Sequence, residues 1–164
     1  MAANKKQSKD ADDIQSICRN RRAYHEYEIF DTLECGIVLT GTEVKSLRER
    51  AASLEEAYAK IEGRELWLIG SDIPEYTMGN RLNHKPKRPR KLLLHRREIA
   101  KFAGKASQQG YTLVPLRLYF KQGRAKIEIA VARGKKQYDK REVKKKAEAA
   151  KEIRQAMKVK HRRA

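Results

Sequence analysis

Apolar and polar residues alternate along YHEYEIF, Tyr24 to Phe30, with the two-residue period of a strand that buries one face. In CGIVLTGTEV, Ile37, Val38 and Leu39 stand between Gly36 and Gly41, which predicts a second strand after a short turn. Val44 and Leu47 of TEVKSLR are three apart, so a brief helix is expected from about Thr42. SLEEAYAKIEG supports two readings. Ser53 and Glu56 fit a helical capping box, whereas AYAKI fits a strand leading to a turn at Glu62-Gly63, and the pattern leaves 53–61 open between them. ELWLIGSDI predicts a strand, and HRREIAKFAGKASQQG a helix that ends at Gly104 or Gly110.

The clearest signal is YTLVPLRLYFKQGRAKIEIAVARG. Two β-rich runs, Tyr111 to Phe120 and Ala125 to Ala132, flank Gln122-Gly123, and Lys126, Ile127, Glu128 and Ile129 alternate cleanly, which predicts a long antiparallel hairpin. Five or six strands with two or three short helices favour a small antiparallel barrel, since closure removes exposed edges. The expected fold class is therefore mainly β, an OB-like antiparallel barrel. Residues 1–18 are polar and aperiodic and read as a disordered leader, 19–132 as the barrel, and 133–164 as a basic C-terminal tail.

Charge sharpens this picture. The 164 residues carry 39 Lys+Arg against 21 Asp+Glu, a net charge of +18, which points to a polyanionic partner. The excess is focused. Arg81 to Arg97 holds eight basic and no acidic residues, Arg133 to Ala164 fourteen basic and four acidic, and the rest balances. Two separated basic segments suit contact with phosphates at two places. Cys18 and Cys35 are isolated thiols with no zinc or disulfide pattern around them, and read as free and reduced. No apolar run approaches the about 20 residues that span a bilayer, and MAANKKQSKDADD lacks the apolar core of a secretory signal, so a cytoplasmic chain is expected. In the tail, Val143, Ala147, Ala150, Ile153 and Met157 fall on one helix face, but the stripe is thin and Lys144, Lys145 and Lys146 repel one another. Such a segment is expected to be disordered alone and to become helical where phosphates neutralise it.

NRRAYHEYEI from Asn20, ECGIVLTGTEVKSLR from Glu34, RPRKLLLHRREI from Arg88 and GKKQYDKR from Gly134 resemble, in order and spacing, the motifs of the SmpB family, the SsrA-binding proteins of bacterial trans-translation. The resemblance runs from about Asn20 to the C-terminus. It implies an OB-like barrel that binds the tRNA-like domain of transfer-messenger RNA and delivers it to stalled ribosomes. The tail would lie in the empty mRNA channel near the small-subunit decoding centre and turn helical there. It implies an adaptor and not an enzyme, with no cofactor, metal or membrane partner.

Carried over by motif, Asn20 with Arg21 and Arg22 would touch RNA, an amide being able to read a base edge or sugar; the alternative for Asn20 is a turn or cap residue. Glu34 matches the family's acidic contact. A carboxylate is wrong for phosphate and fits only as an acceptor from base donors such as a guanine edge. Arg88, Arg90 and Lys91 would neutralise phosphates, and Leu93 would pack on a splayed base or sugar or, alternatively, fill the core. Asn83 and His84 precede them in a loop, where the ring could meet unstacked bases. Lys126 would reach backbone phosphate. In the tail, Gly134, Lys135, Lys136, Asp139, Lys140 and Arg141 match the G-K-K-x-x-D-K-R motif, Tyr138 takes its aromatic position, and Met157 matches a distal apolar one. The chain departs from the family pattern at Cys35, usually Ala, and at Arg50 and Ala51, where a Gly and a basic residue commonly stand, so the turn after the first helix is expected to differ. A metal-dependent nuclease is disfavoured because neither Glu34 nor His84 sits among further carboxylates or imidazoles. A general basic ribosome-associated RNA-binding protein is the rival reading.

Overall fold

A computed structural model of the chain describes residues 14–135 and 144–155. In chain order the elements are β1 (Ile14–Arg19), α1 (Arg21–Glu26), β2 (Tyr27–Ile37), α2 (Gly41–Arg48), β3 (Tyr58–Glu62), β4 (Glu65–Ile69), β5 (Arg90–Leu93), α3 (Arg96–Ala106), β6 (Tyr111–Lys121) and β7 (Arg124–Gly134). The strands run in the order β1-β6-β3-β4-β5-β2-β7, and β6 also pairs with β7. Six antiparallel strands therefore close into a ring, one more than the five of an OB barrel, with β1 added to β6.

The hairpin expected from Gln122-Gly123 is present. Lys121 pairs with Arg124, and both loop residues have positive φ, 51° and 72°, the two-residue turn that suits the strands' twist. From that turn the register counts back to Tyr119 opposite Lys126 and Arg117 opposite Glu128. The ladder slips between Pro115 and Arg117, where proline has no N–H to give. This bulge changes the phase. Leu113, Leu118 and Phe120 point into the main core with Ile127, Ile129 and Val131, whereas Val114 and Leu116 pack outside with Ala130 and Ala132 beneath Ala23 of α1.

Several expectations need correction. Arg21–Glu26 is helical, and only from Tyr27 is the chain extended, because the Asn20 side chain accepts from the Ala23 N–H and caps a short helix. Tyr24 is 53% exposed, so the alternation from Tyr24 was not a burial pattern. From Tyr27 the strand continues unbroken to Ile37, without the expected turn, and Asp31 in its middle pairs with Lys105 and Lys101 of α3. Ile14–Arg19 forms β1, so order begins within the segment read as a leader; residues 1–13 lie outside the described residues. Tyr58–Glu62 is a strand, which settles the later part of the open segment, and β5 was not foreseen.

After α2 the chain does make the turn that Arg50 put in question. The Arg50 N–H donates to the Leu47 carbonyl at 2.9 Å and the Ala51 N–H to Ser46 at 3.2 Å, a complete Schellman motif. Arg50 holds a φ of 58°, the left-handed conformation that glycine adopts without strain. Cys35 is buried, and burial pushes its thiol up to about 12 and that of Cys18 to about 11; neither is in a disulfide.

The chain divides into two compact units, Met1–Arg133 and Gly134–Ala164. Residues 144–155 of the second are helical with every residue exposed. Among the described residues no helix is long and apolar enough to cross a membrane.

Candidate RNA interface

Residues 28, 30, 32, 34 and 36 of β2 alternate outward from the core-facing Leu33, Cys35 and Ile37. Glu34 thus stands on the outer face of the barrel. The Tyr119 hydroxyl donates to its Oε2, and the Lys121 ammonium lies 3.4 Å from the same oxygen. Lys126 of β7 is 3.9 Å from Oε1. Burial would raise the Glu34 pKa, but the Tyr119 hydrogen bond and the two lysines outweigh it and hold the carboxyl below its ordinary range. Burial, and then the Glu34 charge, pushes the Tyr119 hydroxyl up, so it remains a donor. The Arg117 guanidinium lies 4.9 Å from the Tyr119 ring centre and pairs with Glu128. The register counted from the β6–β7 turn sets Arg117, Tyr119 and Lys121 on this face, opposite Glu128, Lys126 and Arg124.

Two residues farther along β2, Gly36 pairs with Leu93 of β5. A Cβ on Gly36 would lie 3.2 Å from the Leu93 Cβ, so the bare backbone gives Leu93 its seat. Leu93 is 52% exposed while Leu92 is buried, the alternation expected of a strand. The face therefore offers a fixed, ionised carboxylate with acceptor capacity left, two ammonium groups that offset its charge, and an exposed apolar side chain. A splayed nucleotide fits that set: a base edge on Glu34, its ring or sugar on Leu93 and its phosphate on Lys121 or Lys126.

The remaining predicted contacts divide. Arg21 and Arg22 are exposed on α1, and Arg22 donates to Glu26 at 2.8 Å. Lys91 is half-buried and pairs with Glu65 on β4. Asn20 is a correction: it is 2% exposed, its Nδ2 donates to the Leu54 and Pro115 carbonyls at 3.0 and 3.1 Å, and its Oδ1 serves the cap. It satisfies the Pro115 carbonyl beside the bulge, and both amide hydrogens are engaged within the chain. Arg90 is a second correction. It is fully buried and donates to Glu43 at 2.9 Å, to Ser71, and to the Pro86 carbonyl.

Arg88 grips the same carboxylate through Nε at 2.7 Å and Nη2 at 2.6 Å, and the Thr40 N–H donates to it at 2.7 Å. Burial would raise the Glu43 pKa, but Arg88, the Thr40 N–H and Arg90 outweigh it and hold it low. His84 is also buried, with Nε2 2.9 Å from the Ile73 carbonyl and Nδ1 2.9 Å from Thr42 Oγ1. Asn83 bonds both the N–H and the carbonyl of Tyr76. His84 and Arg90 are thus enclosed by contacts within the chain, while Asn83 and Arg88 make theirs with their side chains partly exposed. Gly134 and Lys135 are exposed at the end of β7, while Lys136, Tyr138, Asp139, Lys140, Arg141 and Met157 lie outside the described residues.

Sequence reasoning missed Tyr119, Lys121, Gly36 and Glu43. Tyr119 was within reach, since counting back from the Gln122-Gly123 turn sets it against Lys126. Glu43 carried no signal beyond its position three residues after Thr40, the capping-box spacing.

A family model described as "SmpB protein" matches residues 17–159. The SsrA-binding protein of Thermobifida fusca is 57% identical over 157 residues, 96% of this chain and 98% of the relative. That of Desulforudis audaxviator is 54% identical over 142 residues, 87% of this chain and 93% of the relative. A chain in a solved structure described as "tmRNA-SmpB: a journey to the center of the bacterial ribosome" is 48% identical with a TM-score of 0.63, over 73% of this chain and 84% of that one.

Proposed function

The chain belongs to the SmpB family, and from that premise we propose that it is an RNA-binding adaptor of trans-translation, acting in the cytoplasm and without catalysis of its own. Its barrel binds the tRNA-like domain of transfer-messenger RNA and brings it to stalled ribosomes. Its tail, from about Gly134, occupies the empty mRNA channel near the decoding centre, with Lys135, Lys136, Tyr138, Lys140 and Arg141 against ribosomal RNA.

The observation that carries this reading is the Glu34 face. Tyr119 and two lysines hold a carboxylate ionised and oriented in a protein of net charge +18. A site that bound phosphate alone would gain nothing from that carboxylate, whereas a site that reads a base donor requires one. Leu93 on its glycine seat supplies the apolar contact, and Lys126 with Lys121 the phosphate contact. Arg21, Arg22 and Lys91 extend the positive rim. Arg88, Arg90, Asn83, His84 and Asn20 act indirectly, by fixing β5, its preceding loop and α1.

Competition for binding tests the reading. Transfer-messenger RNA should be retained against a large excess of bulk tRNA, and Glu34→Ala should bind it at least about tenfold more weakly, the scale of a lost base contact, with an unchanged melting temperature. Displacement by bulk tRNA at comparable concentration would favour the rival, a general basic RNA binder.

A further inference from the structure

Two large apolar side chains stand out among the described residues: Met78 is 81% exposed and Leu82 is 93%. Both lie in the β4–β5 connection, whose shape is fixed from within. Asn83 accepts from the Tyr76 N–H at 3.2 Å and donates to the Tyr76 carbonyl at 2.8 Å, closing the loop on itself. The Gly79 N–H donates to the same carbonyl at 2.8 Å, and a Cβ on Gly79 would lie 2.6 Å from Asn83 Nδ2 and 2.9 Å from the Tyr76 oxygen. Only glycine fits there. At its foot, buried His84 joins Ile73 to Thr42, the Ser46 hydroxyl donates to the Pro74 carbonyl at 2.8 Å, and the Lys45 ammonium sits 5.4 Å from the Tyr76 ring centre.

This loop is held against α2 with two apolar side chains in water, where a floppy loop could fold them in. Arg81 and Lys85 beside them are exposed and make no ion pair among the described residues. Glu75 is the one acidic residue between Pro74 and Arg90. An apolar tip in a cationic rim suits an unstacked nucleotide: ribose or base on the apolar groups and phosphate on the cations. The loop enters β5 at Arg90, whereas Leu93 and the Glu34 face lie at the other end of that strand.

We propose that the tip of the β4–β5 loop is a second RNA-docking surface, in which Met78 and Leu82 take an unstacked nucleotide of ribosomal RNA and Arg81 and Lys85 take its phosphates. The proposal rests on the reading of the chain as an adaptor that carries one RNA to the ribosome.

The full-length double variant Met78→Ser, Leu82→Ser tests it through three readouts. The melting temperature should be unchanged, since neither side chain is buried. Affinity for transfer-messenger RNA should stay within about twofold, while affinity for vacant ribosomes should fall about tenfold, as for a lost stacking contact. A photoreactive amino acid at position 82 should crosslink to ribosomal RNA. Unchanged ribosome affinity would overturn the proposal. So would an equal loss for transfer-messenger RNA, which would join the loop to the first surface, or a crosslink confined to ribosomal protein. If the wild-type chain failed to distinguish transfer-messenger RNA from tRNA, the adaptor reading would fall while the ribosome measurement still scored the loop.

Discussion

Asn20 links three parts of the barrel: it caps α1, ties down Leu54, and holds the Pro115 carbonyl. Removing two buried hydrogen bonds and a cap leaves carbonyls without donors, so Asn20→Ala should lose about 2–4 kcal/mol of stability in urea unfolding. Its affinity for transfer-messenger RNA, measured well below the melting temperature, should be close to wild type. A selective loss of affinity at unchanged stability would restore Asn20 to the interface. Glu43 is the other decisive residue. Its folded-state pKa is held below the ordinary carboxylate value, so its ionisation contributes stability above about pH 4.3, lost as pH falls through the folded value. Glu43→Gln leaves Arg90 buried without a counter-charge and should cost about 3–5 kcal/mol at pH 7. The gap from wild type should narrow as pH is lowered below the carboxylate range, and a gap independent of pH would refute the charge-based account.

At the scale of elements, the end of α2 and the β2–β5 pairing set two opposite expectations for glycine. Arg50 adopts a left-handed φ in a complete Schellman turn, so Arg50→Gly should raise stability by up to about 1 kcal/mol without changing RNA affinity. A loss of stability would mean that the Arg50 side chain contributes more than its backbone costs. Gly36 is the reverse case. Gly36→Ala sets a methyl against the Leu93 Cβ and should displace that side chain, weakening transfer-messenger RNA binding several-fold with a smaller effect on unfolding. An equal effect of Leu93→Ala, with no further loss in the double variant, would place both changes on one contact.

For the whole molecule, the two units predict separable functions. β7 runs to Gly134, so the informative truncation falls after Lys135, beyond the strand. The truncated protein should bind transfer-messenger RNA with nearly wild-type affinity and fail to support tagging of a stalled nascent peptide in a reconstituted system. Loss of both activities would reduce the tail to a phosphate anchor for the same RNA, and the slope of affinity against salt would then drop with the removed cations.

Local pattern determined much of this protein. The β6–β7 hairpin, the α2 and α3 segments, the strand at Glu65–Ile69 and the barrel class were legible because alternation, turn residues and helix spacing act over a few residues. The outward placement of Glu34 and Leu93 follows from the same two-residue alternation. Tertiary structure alone decided which polar side chains are engaged within the chain and which stay exposed. Asn20, Asn83, His84, Arg88 and Arg90 carry groups that suit RNA, yet their partners are up to 95 residues away in sequence, as the Asn20–Pro115 bond is. Nothing in the local pattern separates an arginine that meets phosphate from one that meets a buried carboxylate. The phase slip at Pro115, which turns Leu113 into the main core and Val114 out toward α1, depends likewise on β1, β3 and β7 all pairing with β6. Burial and charge pairing are set by strands that meet only when the ring closes, and closure is a property of the whole chain.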